Sequence, residues 1–448
     1  MTTNKSPIII NHDFCSQIRH EFESNKKHKL VQLGVIRNGV VESAEDINVK
    51  RQFPFEFSID LTTATNPDQY KSGRCWLFAI INMMNQKIQE KYNLIDFELS
   101  HNYLFFYDKL EKANFFYHNI LRTSTLDLDS REVHFLLHEP QQDGGQWDML
   151  VSLIEKYGIV PLYAMPETEN SRHSADMNKY LNAKLRNDAQ KIRSLVSEGA
   201  TTNEIEKKIK IMLEEVYRLL AICLGTPPEK FDVKFRDKNN MLHTNPEIVP
   251  KDFMTTYVGM DLSQYIPIIN APAENKPFNQ TISIDMLGNI IEGQSIKYLN
   301  LSMEEIKSLS IKQLLSGEMV WFGSDIGQYT DRSLGIMSTD IYNVDDLFDI
   351  DFSSNKTNRL AYCQSILTHA MVLCGVDIVK ENPVVWKVQN SWGKEIGFNG
   401  FFMMTDKWMD EYVYQVVIHK KHLTDDLLAL YEQDSIVFPP WDPMGSLA

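Results

Sequence analysis

The run Cys75–Tyr92, CWLFAIINMMNQKIQEKY, constrains the fold more than any other stretch of the chain. Its first half is apolar nearly all round, with Trp76, Leu77, Phe78, Ile80, Ile81, Met83 and Met84 leaving no polar stripe. A helix of that kind has no face to offer water, so it must be central and buried. With 448 residues and 43% hydrophobic content, the chain is long enough to bury it in a substantial core.

Around that helix the pattern changes twice. A second helical stretch is expected from Ser100 through Leu110, and DGGQWDM (143–149) reads as a turn into a helix that ends near Tyr157, with Gly158 as its cap. Residues 176 to 224 are charged and read as two helices joined at SEGATT (197–202). Thr201 and Glu204 fit a capping box, and Ile205, Ile209, Met212, Val216 and Leu219 share one face. This hairpin is expected to pack on the body or on a neighbouring subunit. From about 228 the texture is strand-like: FDVKF, HTNPEIVP, TYVGM, QYIPIIN, EMVWFG, THAMVLCGVDIV, VVWKVQNSW and GFFMMT. Helices followed by mostly antiparallel strands predict an α+β protein whose two halves meet at a cleft. The predicted unit spans 1–448. It comprises an N-terminal segment (1–65), a helical half (66–175), an inserted helical hairpin (176–227), a β-rich half (228–437) and a C-terminal segment (438–448). That last segment, FPPWDPMGSLA, is too rich in proline for a helix and too apolar for a solvated tail.

Cys75 stands at the start of the buried helix, after the turn Ser72-Gly73. Unpaired N–H groups there favour a thiolate, and Gly73 admits a close backbone. A nucleophilic cysteine needs a base, and the base an orienter. His369 enters a strand-like run, and Asn390 follows in N-S-W-G after 21 residues, a separation that suits two neighbouring antiparallel strands. The Asn390 carbonyl would accept from one imidazole nitrogen and leave the other facing Cys75, with Trp392 covering that bond.

The set Gln69…Cys75-Trp76, His369-Ala370 and Asn390-Ser391-Trp392-Gly393 resembles the papain-type cysteine peptidases. ELSHNYLFFYDKLEKANFFY (98–117), DGGQWDM, GEMVWFG (317–323) and PPWDPMGSLA resemble more closely the bleomycin hydrolase and aminopeptidase C family, from about residue 55 to the C-terminus. The chain departs from the papain signature at Ser72, where secreted members carry a cysteine, and at Arg74, where they carry a small residue. Cys75 and His369 lie 294 residues apart, against roughly 130–150 in compact members, and the insertions account for the excess. The resemblance implies a papain-like fold and a Cys75, His369, Asn390 catalytic set, supported by Trp76 and Trp392. The Gln69 side chain with the Cys75 N–H would form the oxyanion hole. Gly144 and Gly145 would present backbone to a bound peptide. The resemblance also implies a homohexamer whose C-terminal arm lies in the cleft. Gly445 and Leu447 would lay that arm down, and the Ala448 carboxylate would pair with the free amine of a peptide substrate.

Other classes are disfavoured. A formal net charge of −15 argues against nucleic acid, so a nucleic-acid-binding or scaffolding ring is the alternative reading. Another acyl transfer, such as transpeptidation, would use the same residues. No apolar run reaches the roughly 18 residues of a membrane span, and MTTNKSPIIINHDF lacks a signal-peptide core. Five scattered cysteines without a C-x-x-C pair suit free thiols in a reducing, cytoplasmic setting. No metal or other cofactor is expected. His134 and His138 lack the glutamate of a zinc-protease helix, and the acidic run from Asp340 to Asp351 reads as a solvated loop.

Overall fold

A computed structural model of the chain describes residues 7–52, 54–61, 66–94 and 97–447. It divides into two units, residues 1–54 with 338–354, and residues 55–337 with 355–448. The first unit is largely helical where the sequence suggested a mixture, with helices His12–Ser24, Lys26–Asn38, Val40–Ala44 and Ile47–Lys50. Asn11 and Asn25 cap the first two with their side-chain oxygens. Part of the acidic run forms a short helix, Val344–Phe348, rather than a loop. Its Asp345 and Asp346 lie in the first turn, where the helix dipole favours them.

In the second unit the Cys75–Tyr92 helix has the buried first half that its composition demands, and Asn93 ends it in the left-handed conformation (φ 51°). Ser100 caps the next helix, His101–Arg122, which continues well past Leu110. Ala113, Phe116, Tyr117 and Ile120 extend its buried face, and no glycine or proline interrupts it. Trp147–Tyr157 ends at Gly158 (φ 72°), as expected. The hairpin consists of Ala175–Ser197 and Thr202–Leu224, with the Thr201–Glu204 capping box in place. Leu220, not Leu219, completes its buried stripe. The hairpin packs on its own chain, where Tyr117 donates to buried Asp188 (2.7 Å), which also pairs with Lys184 (2.6 Å).

Among the described residues twelve strands form one mixed sheet. Its middle runs, in spatial order, Tyr265–Ile269, Val413–His419, Val320–Ser324, His369–Val379, Asn382–Gln389 and Phe401–Thr405, each antiparallel to the next. The element order gives the α+β class that the sequence predicts. Two local readings are corrected. TYVGM (256–260) is not a strand, because Met254–Val258 forms a helical turn closed by Gly259. Phe253 and Tyr257, four residues apart, are both buried and stack at 4.9 Å, which is helical spacing. Val413–His419, at the centre of the sheet, is absent from the sequence reading; buried on both faces, it shows no alternation to detect. The C-terminal segment is anchored. Ile436–Phe438 pairs with Gln280–Ile284, Asp442 pairs with Lys276 (2.7 Å), and Met444 is buried.

Two lysines of the His101–Arg122 helix are buried with their partners and fasten the loop before Trp147. Lys109 pairs with Asp143 (2.6 Å). Lys112 pairs with Asp108 (2.7 Å) and donates to the carbonyls of Gln142 (2.9 Å) and Gly144 (2.6 Å). Removing one partner of a buried pair strands the other charge at a cost of about 3–5 kcal/mol. Lys109→Met should therefore lower the urea midpoint sharply, and adding Asp143→Asn should recover much of the loss. Asp148 is also buried, accepting the Lys297 N–H at 2.9 Å, and burial pushes its carboxyl up to about 7. A folded-state pKa raised from 3.8 gives stability that is full below pH 4 and is lost as pH rises through 7. Thermal melts from pH 4 to 8 should thus favour Asp148→Asn over the native chain progressively, with a limiting slope of roughly 1.4 kcal/mol per pH unit.

Candidate active site

The sheet register assembles the site. His369 opens its strand opposite Ser324, and Val372 of the same strand faces Gln389. Antiparallel pairing therefore leaves the start of one strand and the residue after the other, Asn390, at the same sheet end. His369 Nε2 meets Asn390 Oδ1 at 2.9 Å. Asn390 Oδ1 also accepts the Ser391 N–H (2.7 Å), so it is an acceptor toward the ring and assigns the proton to Nε2. Nδ1 is then the basic nitrogen. The Trp392 ring lies 4.9 Å from the imidazole, centroid to centroid, and Arg332 stacks on the far part of that assembly, 4.7 Å from the Trp392 ring.

Cys75 reaches the same sheet end from the helical half. Its Sγ accepts the backbone N–H of Ala370, the residue after His369, at 3.5 Å. Cys75, His369 and Asn390 are all buried. Burial pushes the Cys75 thiol up to about 11, against the N–H groups of Ala370, Trp76 and Cys75 itself, which favour the thiolate. Burial likewise pushes the His369 imidazole down to about 4, against the Asn390 bond. The helix start acts on the thiol in the direction read from sequence, but desolvation outweighs it in the closed cleft.

Gln69 sits in the loop before Cys75, and both ends of its side-chain amide are fixed. Nε2 donates to the Ser72 carbonyl (2.6 Å), and Oε1 accepts from Ser391 Oγ (2.6 Å). Its backbone N–H donates to the Ser391 carbonyl (2.8 Å). An amide nitrogen carries two N–H groups, so one remains for an oxyanion. Sequence reasoning missed Ser391, although its hydroxyl lies one residue from Asn390 and sets the amide orientation. It also missed what Arg74 does. That side chain is fully buried, donates to Ser72 Oγ (2.9 Å) and forms a two-pronged pair with Glu167 (3.1 and 2.8 Å). Charge at the position before Cys75 thus anchors the loop, and Ser72 takes part where a disulfide would otherwise act.

The glycines have different reasons from those expected. Gly73 donates to Asp143 Oδ2 (3.0 Å), and a Cβ there would come within 3.0 Å of Asp143, so its neighbour is a carboxylate. A Cβ on Gly145 would lie 2.5 Å from the Trp76 ring, which makes that glycine a packing requirement. The Gly144 carbonyl is taken by Lys112. Trp76 donates from Nε1 to the Asp143 carbonyl (2.8 Å) and fixes the loop to the helix. Asp143 also accepts from Ser174 and, at 2.7 Å, from Asn178 of the hairpin. Burial raises its carboxyl, yet Lys109 and these donors hold it well below the usual carboxylate range.

The C-terminal segment runs into the same cleft. Gln146 donates to the Ser446 carbonyl (2.6 Å), and Ser446 Oγ donates to the Leu367 carbonyl. Leu447 and Gly73 line one cavity. Ala448 lies outside the described residues. His134 and His138 share a helix with their rings 6.3 Å apart, and among the described residues no group of three His, Cys, Asp or Glu side chains is placed to hold a metal. No helix among them is long and apolar enough to cross a membrane.

Comparison with known proteins identifies the family. The Peptidase C1-like family matches over residues 9–445. Aminopeptidase C of Listeria monocytogenes is 47% identical, covering 96% of each chain. Aminopeptidase C of Streptococcus thermophilus is 45% identical, covering 97% of this chain and 98% of that one. The crystal structure of PepW from Lactobacillus rhamnosis superposes with a TM-score of 0.96 at 48% identity, covering 98% of this chain and 99% of that one. With its α+β, papain-like fold and full-length similarity to these proteins, the chain belongs to the Peptidase C1-like family.

Proposed function

We propose that the protein is a cysteine aminopeptidase of the bleomycin hydrolase type. The observation that carries this reading is the convergence of Cys75, His369 and Asn390 at one sheet end, with the Cys75 sulfur against Ala370. Cys75 Sγ attacks the carbonyl of the first peptide bond while His369 Nδ1 takes the thiol proton. Asn390 holds the ring in the required tautomer, and the Cys75 N–H and the Gln69 amide hold the oxyanion. The proton passes to the leaving amine, the C–N bond breaks and a thioester remains. Water then attacks the thioester with His369 as base, releases the amino acid and restores the thiol.

Restriction to free amino termini follows from the C-terminal segment. Its contacts at Ser446, and the cavity that Leu447 and Gly73 both line, support a segment that would block the cleft ahead of the first substrate residue. The Ala448 carboxylate would then meet the substrate ammonium. Exposed apolar side chains on the N-terminal helices, among them Ile18, Leu30, Leu33 and Ile36, support self-association and the hexamer implied by the resemblance. Five free cysteines, one of them exposed, support a reducing, cytoplasmic setting.

Free and N-acetylated fluorogenic aminoacyl amides test the reading. The free series should be cleaved and the acetylated series should not. Cys75→Ala should abolish turnover, and a chain ending at Leu447 should cleave acetylated substrates relatively better. Full activity in Cys75→Ala would sink the mechanism. Ser391→Ala should lower kcat about ten-fold, through a loosened Gln69 amide, with little change in thermal midpoint.

A further inference from the structure

A cavity of about 300 Å³ lies beside the proposed nucleophile. Its wall includes Gly73, two residues before Cys75, and Thr368, the residue before His369. Trp392, which stacks on the imidazole that protonates the leaving amine, takes no part in that wall. Leu447, of the C-terminal segment proposed to meet the substrate amine, lines it too, so the cavity is assigned to the acyl side, where the side chain of the first substrate residue goes. This assignment rests on the aminopeptidase reading.

We propose that this cavity selects an N-terminal residue with a cationic side chain, arginine or lysine, and that Glu139, Gln141 and Asn178 make the selection. The polar groups facing it are mostly acceptors. Asn178 donates its nitrogen to Asp143 (2.7 Å), and its Oδ1 finds no partner among the described residues. Gln141 is only 4% exposed, yet neither its Oε1 nor its Nε2 has a partner among the described residues. A buried amide left so is costly unless a ligand completes it. Asn182 holds Gln141 in place with two backbone bonds of 3.1 Å, so this residue is positioned rather than free to turn away. The Glu139 carboxylate stands exposed at the wall, with no ion-pair partner among the described residues. Among the described residues no lysine, arginine or histidine lines the cavity. Lys109 and Lys112 lie behind it, but Asp143, Asp108 and backbone carbonyls occupy their ammonium groups. An arginine side chain brings five N–H donors and one charge to three acceptor groups and a lone donor.

The test uses the native chain and aminoacyl-coumarin amides of arginine, citrulline and norleucine, which separate charge from polarity at similar length. The Arg-to-citrulline ratio of kcat/KM should be about five at low salt, should shrink in 0.5 M NaCl, and should approach one in Glu139→Gln. Glu139→Lys should bring it below one. The citrulline-to-norleucine ratio should fall several-fold in Gln141→Leu, which removes the buried amide without touching the charge. Cleavage of all three substrates with an Arg-to-citrulline ratio near one, or a ratio unchanged in Glu139→Gln, overturns the subsite alone. Absence of Cys75-dependent cleavage of every free-amine substrate overturns the subsite and the aminopeptidase reading together.

Discussion

The buried Asp143 carboxylate is the interaction on which the rest of this cleft depends. It accepts from Lys109 of the second helix, from the Gly73 N–H in the loop before Cys75, and from Ser174 and Asn178 at the start of the hairpin. One group thus joins the central helices, the loop that presents Cys75 and the insertion. A lone buried carboxylate would be driven to protonate, and it stays ionised because every lone pair is matched. The penalty for placing charge there is recovered as position, since none of these segments can shift without leaving the charge exposed to apolar surroundings.

The same burial shapes the chemistry. Desolvation raises the thiol and lowers the imidazole. In the proposed mechanism the proton moves in a field of backbone N–H groups already aimed at the sulfur. Those donors are fixed by the helix start and by the His369 strand and need no reorganisation. Ser391 does for Gln69 what Asn390 does for His369: adjacent residues after one strand orient two different side chains.

Much of this was legible in the chain. The all-apolar face of the Cys75 helix announced its central place, and the Thr201–Glu204 cap and Gly158 marked helix ends correctly, because caps and breakers are local chemistry. The pairing of His369 with Asn390 was readable from their separation in two strand-like runs. What was not legible depended on distant partners. Arg74 looked like a departure from a small residue, and only Glu167, 93 positions away, explains it. Lys109 and Lys112 carry no sequence signal of their role, because their partners lie largely in the loop beyond residue 140. The strand Val413–His419 was hidden because both its faces are buried, and TYVGM was misread because Phe253 and Tyr257 bury at helical rather than alternating spacing.

By itself, the sequence pointed to the residues proposed to carry chemistry, marked the caps of several helices, and determined that helices precede a mainly antiparallel sheet. These follow from side-chain type, periodicity and capping, which act over a few residues. The tertiary structure decided the burial of Cys75 and His369, the orientation of the Gln69 amide, and the packing around glycine at 73 and 145. It also decided the polarity of the cavity beside Cys75. Each of these is set by burial and by partners tens to hundreds of residues away. Desolvation and hydrogen-bond satisfaction are properties of the packed volume, not of any one segment of chain.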